Sequence, residues 1–210
     1  MTTAFSCPHT LYLVRHGETD WNVRGLLQGS QDIPLNSLGR QQATRAGDNL
    51  NWLLPHNSPL DFISSPLQRA RETMQLLRQQ LGLPPGDYRC DGRLKEISFG
   101  DWEGLSWAQI HQQEPERYQQ YLASPVDFPM PNGECWQTVF DRISSLLASL
   151  QRDSLLVGHS IVLKAFLAVA GGIDPRQLPP LHMPQDRILV MRHGQFAWLQ
   201  ATGTADGQPD

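Results

Sequence analysis

The sequence is short of the features that mark several large classes of protein. Its 210 residues hold no Lys/Arg cluster and no basic stripe, and the formal net charge is −4. A nucleic-acid surface is therefore not expected, and neither is attraction to an anionic membrane. Cysteine is scarce, with Cys7, Cys90 and Cys135 forming an odd, scattered set without a CxxC pair. That set fits reduced cytoplasmic thiols better than a disulfide frame or a zinc site. The most apolar late segment, Ile161 to Ala170, is too short to span a bilayer and contains Lys164. Met1 to Thr10 has no basic region leading into an apolar one, so no secretory signal is read. The expectation is a soluble cytoplasmic protein.

What is present is enough hydrophobic material, 40% of residues, for one sizeable core and a single domain over 1–210. Short apolar runs alternate with helical stripes. Leu11–Val14, Leu60–Ile63, Tyr88–Cys90 and Ser154–Val157 read as strands. Ala43, Ala46, Leu50 and Leu53 mark one helix, capped by Asn36 or Ser37 and broken at His56-Asn57-Ser58-Pro59. Leu67, Ala70, Met74, Leu77 and Leu81 mark a second, with Ser65 at its N-cap, Pro66 at N1 and Gly82 at its end. Trp136, Phe140, Ile143, Leu147 and Leu150 mark a third, and an apolar helix follows Ser160. This alternation predicts an α/β fold: a three-layer αβα sandwich around a mostly parallel, doubly wound sheet. Residues from about 100 to 133 interrupt it and read as a small helical lid insertion over the crevice. Residues 1–9 and 201–210 have no periodicity and read as loose termini.

One stretch carries chemistry. The opening strand runs straight into Arg15-His16-Gly17, which places both side chains at the carboxyl end of a strand, where open α/β sheets keep their ligand crevices. Arg15 offers a planar fork for phosphate oxygens, and His16 a ring nitrogen that is largely neutral near pH 7. A bare Arg-His-Gly is weak, as the chain's second copy shows. Arg192-His193-Gly194 lies between two apolar runs and reads as a hairpin turn, at a sheet edge or a homodimer contact. Support for His16 comes from Arg69, just beyond the second strand, and His159, just beyond the fourth. Three strand-to-helix transitions then converge on one anion, and with those cations no metal or other cofactor is needed.

Taken together, Arg15-His16-Gly17-Glu18-Thr19 with Trp21-Asn22, Gln28-Gly29, Pro34-Leu35 and Gly39 resembles the opening of the histidine phosphatase, or phosphoglycerate-mutase-like, superfamily. Ser64-Ser65-Pro66-Leu67-Gln68-Arg69-Ala70 with Thr73 resembles its second motif. Leu94-Lys95-Glu96 with Phe99 to Gly104 resembles the third and Gly158-His159 the fourth. The resemblance implies that His16 attacks phosphorus to give a phosphohistidine. Arg15, Arg69 and His159 would hold the phosphoryl oxygens, with Asn22, Gln28 and Gly29 completing the pocket. Glu96 would act as acid and then base, its rivals being Glu18 and Glu103. Ser160, Lys164 and Cys135 depart from the usual Gly, Arg and Ser.

The same resemblance divides into phosphatases, mutases and inactive phosphate-binding relatives. Arg117 is the lone Lys or Arg between Asp101 and Asp141, while aromatic residues are plentiful. A mutase needs extra cations there for a second anionic end. The expectation is therefore a phosphomonoester hydrolase for a small metabolite whose leaving group is uncharged or partly apolar. Trp102-Glu103 and Asn132-Gly133-Glu134 look similar to α-ribazole phosphatases, with fructose-2,6-bisphosphatase-like and broad-specificity phosphatases nearly as close; a mutase is the first alternative and a non-catalytic phosphate-binding module the second.

Overall fold

A computed structural model describes residues 7–54 and 59–199. In chain order it holds β1 (Leu11–Arg15), α1 (Asp20–Val23), α2 (Ser37–Leu53), β2 (Asp61–Ser64), α3 (Gln68–Gln80) and β3 (Arg89–Cys90). Then come α4 (Trp107–Gln113), α5 (Pro115–Ala123), α6 (Trp136–Ser149), β4 (Ser154–Gly158), α7 (Ser160–Val169), β5 (Ile188–Arg192) and β6 (Gln195–Leu199). The six strands form one sheet in the order β3-β2-β4-β1-β5-β6. The first four in that order pair in parallel, and the β5–β6 hairpin adds antiparallel to β1. His193 (φ 50°) and Gly194 (φ 76°) make the hairpin turn, so the second Arg-His-Gly is a turn at the edge of the sheet.

Alternation along each strand divides the core in two. Leu11, Leu13, Ile63, Leu156 and Leu189 join the core that α6 and α7 cover. Val14, Leu155, Val157 and Ile188 join the core that α2 and α3 cover. Three layers result, as the alternating pattern predicts. Residues 100–133 are anchored in the first of these cores rather than laid loosely across it. Trp102 has no exposed surface and stacks on Phe128 with ring centroids 5.3 Å apart.

Several local expectations need correction. Asn36 caps α2, accepting from Gly39 N–H at 2.8 Å, but Leu53 is exposed because the buried stripe ends at Leu50. Helix α3 starts at Gln68 with Leu67 at its N-cap, so Ser65 and Pro66 precede it and Ser65 is free for another task. Strand β2 is shifted one residue, to Asp61–Ser64. Cys7, read as part of a loose arm, is buried in the core. The one-turn helix α1 has no hydrophobic period and was not foreseen; a capping box between Thr19 and Asn22 makes it. The helix break at His56-Asn57-Ser58, the rest of the N-terminal arm and the tail from Ala201 lie outside the described residues. Among the described residues, no helix is long and apolar enough to cross a membrane.

Candidate active site

Because β2, β4 and β1 are adjacent and parallel, their carboxyl ends share one edge of the sheet. β1 delivers Arg15 and His16, β4 delivers His159 at the N-cap of α7, and β2 delivers Ser65, with Arg69 in the first turn of α3. Two backbone bonds extend the ladder past the strand ends: His16 N–H to Gly158 O at 3.0 Å, and Ser65 N–H to Val157 O at 2.9 Å. Gly17 is needed for packing, since a Cβ there would strike the backbone of Gly39 in the first turn of α2. Its N–H donates to Thr73 Oγ1 at 3.1 Å, which ties α3 to the same turn.

The two histidine rings lie 5.1 Å apart, centroid to centroid. His16 Nδ1 is 2.7 Å from Gly17 O. A carbonyl only accepts, so Nδ1 carries the proton and Nε2 keeps its lone pair. Burial, and then the charges of Arg69 and Arg15, hold the His16 pKa well below its ordinary value. The ring is therefore a neutral nucleophile at physiological pH. His159 is held down for the same leading reasons and is wholly buried, with its ring packed beside that of His16. Its Nε2 lies 2.8 Å from Ser65 Oγ, and its Nδ1 has no partner among the described residues.

Each arginine is aimed by backbone carbonyls. Arg15 Nη1 donates to Met183 O at 2.7 Å. Arg69, fully buried, donates from Nη1 to Gln31 O at 2.6 Å and from Nη2 to Gly29 O at 2.9 Å. The Nε–H of both guanidinia is buried without a partner among the described residues. Burial lowers the Arg69 pKa to about 10, which leaves it a cation at neutral pH.

Glu96 stands across the cavity, at the N-terminus of α7. Its Oε1 accepts from Ile97 N–H at 3.1 Å and its Oε2 from Ile161 N–H at 3.3 Å. Burial raises its pKa, opposed by those two amides and by Arg69 and Arg15. Arg142 on α6 holds this loop, donating to Arg93 O at 2.8 Å and Lys95 O at 2.7 Å while pairing with Glu134 at 3.0 Å. Glu134 belongs to the Asn132-Gly133-Glu134 segment, whereas Arg142 carries no sequence signal, because it binds mainly backbone carbonyls. The rival carboxylates have structural work elsewhere. Glu18 accepts from Asn36 Nδ2 at 2.9 Å. Glu103 takes the Ser30 N–H at 2.9 Å, the Ser30 hydroxyl and Gln31 Nε2 at 2.9 Å, and so fixes the loop whose carbonyls aim Arg69. Gly29 (φ 50°) lies directly against the Glu103 carboxylate, leaving no room for a Cβ.

Asn22 Oδ1 is fully committed, to Thr19 N–H and Oγ1 (both 3.1 Å) and to Gln185 Nε2 at 3.2 Å. Its NH₂ group is left to the cavity. The segment before β5 acts as a strap over this side of the site. Pro179 O accepts from Lys164 Nζ at 2.8 Å, Met183 O from Arg15, and Gln185 Nε2 also donates to His16 O at 3.1 Å. The strap leaves no residue signature in the sequence, because two of its contacts are made by backbone carbonyls that accept and the third by a lone glutamine amide.

Together these groups border a cavity of about 380 Å³. Arg15, His16, Asn22, Gln28, Gly29, Arg69 and Glu96 supply its polar lining, and Phe99, Trp107, Tyr121 and Trp136 its aromatic lining. Lys164 and Ser160, the two departures on α7, both border it, and burial lowers the Lys164 pKa to about 8. Arg117, on the lid, is exposed and paired with Glu114 at 2.8 Å. The lid therefore adds aromatic surface and no cation.

Comparison with known proteins agrees with this geometry. Residues 11–190 match the model of the histidine phosphatase superfamily (branch 1). A probable phosphoglycerate mutase, GpmB, of Citrobacter koseri is 35% identical over 195 residues, covering 90% of this chain and 87% of its own. Among solved structures, Bacillus stearothermophilus YhfR superposes with a TM-score of 0.74 at 32% identity, over 90% of this chain and 94% of that one. A putative α-ribazole-5′-phosphate phosphatase from Escherichia coli gives 0.75 at 26% identity, over 96% and 99%. A mycobacterial glucosyl-3-phosphoglycerate phosphatase gives 0.74 at 29%, over 91% and 96%.

Proposed function

The chain belongs to the histidine phosphatase superfamily (branch 1), and we propose that within it the protein is a phosphomonoester hydrolase working through a phosphohistidine. The observation that carries the reading is the lone pair of a neutral His16 Nε2 facing a cavity whose cations, Arg15 and Arg69, are already aimed by backbone carbonyls. In the first step Nε2 attacks phosphorus and the P–O bond to the leaving group breaks, while Glu96 delivers its proton to the departing oxygen. In the second, water attacks the phosphohistidine, Glu96 takes the water's proton, and phosphate leaves. Negative charge on the three transferred oxygens is met by Arg15, Arg69, His159 and the Asn22 amide. Fixed donors of this kind supply the larger share of such rate enhancement.

Hydrolysis is favoured over mutase chemistry by the aromatic share of the cavity lining. A mutase must grip a second anionic end and keep water from the phosphohistidine, whereas the lid presents Phe99, Trp107 and Tyr121. A leaving group that is uncharged or partly apolar fits that surface, and α-ribazole phosphate is one compound of the kind. The curated relatives named as mutases support the alternative reading, and Lys164, which also borders the cavity, is the further cation that would serve it.

A substrate panel decides. With α-ribazole phosphate, sugar phosphates, an aryl phosphate and 3-phosphoglycerate, hydrolysis of an ester with an apolar leaving group is expected to be fastest. Faster isomerisation of 3-phosphoglycerate than hydrolysis of any ester would overturn the proposal. Acid-labile phosphate should be trapped on the wild type during turnover and be absent from His16→Ala.

A further inference from the structure

Ser65 is not the helix cap that its place before Pro66 implies. It has no exposed surface, and its hydroxyl has two neighbours among the described residues: Leu67 N–H at 3.4 Å and His159 Nε2 at 2.8 Å. The amide can only donate, so Ser65 Oγ accepts from it and has its own proton left for the ring. A neutral His159 whose Nε2 accepts that proton must carry its hydrogen on Nδ1. That Nδ1 is the atom without a partner, in a ring 5.1 Å from His16.

We infer that Ser65 is a positioning residue that selects the Nδ1–H tautomer of His159, turning a buried neutral ring into a hydrogen-bond donor for the anion carried at His16. The opposite tautomer would present a lone pair to that anion and repel it. Arg69 and Arg15 nearby disfavour the imidazolium, so the tautomer cannot be bypassed simply by protonating both nitrogens. The hydroxyl does for His159 what Gly17 O does for His16, with opposite polarity: an acceptor frees Nε2 of one ring to attack, and a donor frees Nδ1–H of the other to bind. The consequence for rate rests on the phosphoryl-transfer reading above, whereas the tautomer does not.

The test uses ¹⁵N-histidine-labelled full-length protein, with His159 assigned by comparison with His159→Asn. Long-range ¹H–¹⁵N spectra of the wild type should show His159 protonated at Nδ1 and unprotonated at Nε2, and inorganic phosphate should shift the Nδ1 signal. In Ser65→Ala the Nε2–H form should become populated. Turnover number should fall on the order of a hundredfold, the usual cost of one anion-stabilising donor, with a much smaller change in KM. Adding Ser65→Ala to His159→Asn should cost nothing further. A wild-type His159 protonated at Nε2, a tautomer unmoved by Ser65→Ala, or a full additional loss in the double variant would each overturn the inference. Normal spectra from a protein that hydrolyses no phosphomonoester would instead count against the proposed function alone.

Discussion

At the scale of single residues, the site works by pairing each titratable group with a partner that decides what it can do. Glu96 is the clearest case. Burial raises its pKa, so its acid form persists to a higher pH than that of a free carboxyl and is lost as pH climbs through the raised value. The basic limb of kcat/KM should therefore include this group. Glu96→Gln keeps the shape, removes the titration and should slow turnover by roughly 10²–10⁴-fold on an alkyl ester. The loss should be smaller on 4-nitrophenyl phosphate, whose leaving group needs little protonation. Equal losses on both esters, measured across pH, would remove Glu96 from the acid role. At this scale the sequence was legible for the gathering of side chains: Arg15, His16, Arg69 and Glu96 border one cavity, and His159 packs against His16. It was illegible for Arg142 and Gln185, whose tasks are to hold carbonyls and an amide.

At the scale of elements, strands deliver and loops aim. Helices α2, α3 and α6 could be read because each buries a stripe three and four residues apart, and α7 because it is apolar all round and buried from Val162 to Leu167. Helix α1 is a single turn with no stripe to show, and the start of α3 was misplaced because Ser-Pro imitates a helix cap. The loop from Gln28 to Gln31 has no period either, yet it fixes Arg69 through two carbonyls and is itself fixed by Glu103. Burial alone would push the Glu103 carboxyl up, but the bonds from Ser30, Gln31 and Ser98 hold it below its ordinary value, so it remains an acceptor at neutral pH. Glu103→Ala is expected to free this loop without touching a reacting atom. KM should rise and kcat/KM should fall at least about tenfold, since small misplacement of a positioning group is expensive. Unaltered steady-state constants would show that Arg69 is aimed by α3 alone.

For the molecule as a whole, the site is a cost that the two cores sustain. His16 and His159 both have pKa values well below the ordinary 6.5, so the unfolded chain binds protons that the folded one refuses. With ν larger in the unfolded state, stability rises with pH and is lost as pH falls below about 6.5, by up to about 1.4 kcal/mol per unit for each ring. Glu96, with its pKa raised, works in the opposite sense above its ordinary 4.5 and offsets part of the slope. Calorimetric melting temperatures should therefore drop between pH 6.5 and 5, and more gently in His159→Asn. An unchanged slope in that variant would mean that its ring titrates normally in the fold.

The strap from Pro179 to Gln185 has a consequence for how the protein comes into being. Every group proposed to touch phosphorus or its oxygens is encoded before residue 160, but Arg15 reaches its carbonyl partner, and Asn22 its third donor, only from residues 183 and 185. A nascent chain that has not yet released this strap already holds the proposed nucleophile and both guanidinia, yet has one of them untethered. Completion of the site waits on a stretch proposed to contribute no reacting atom.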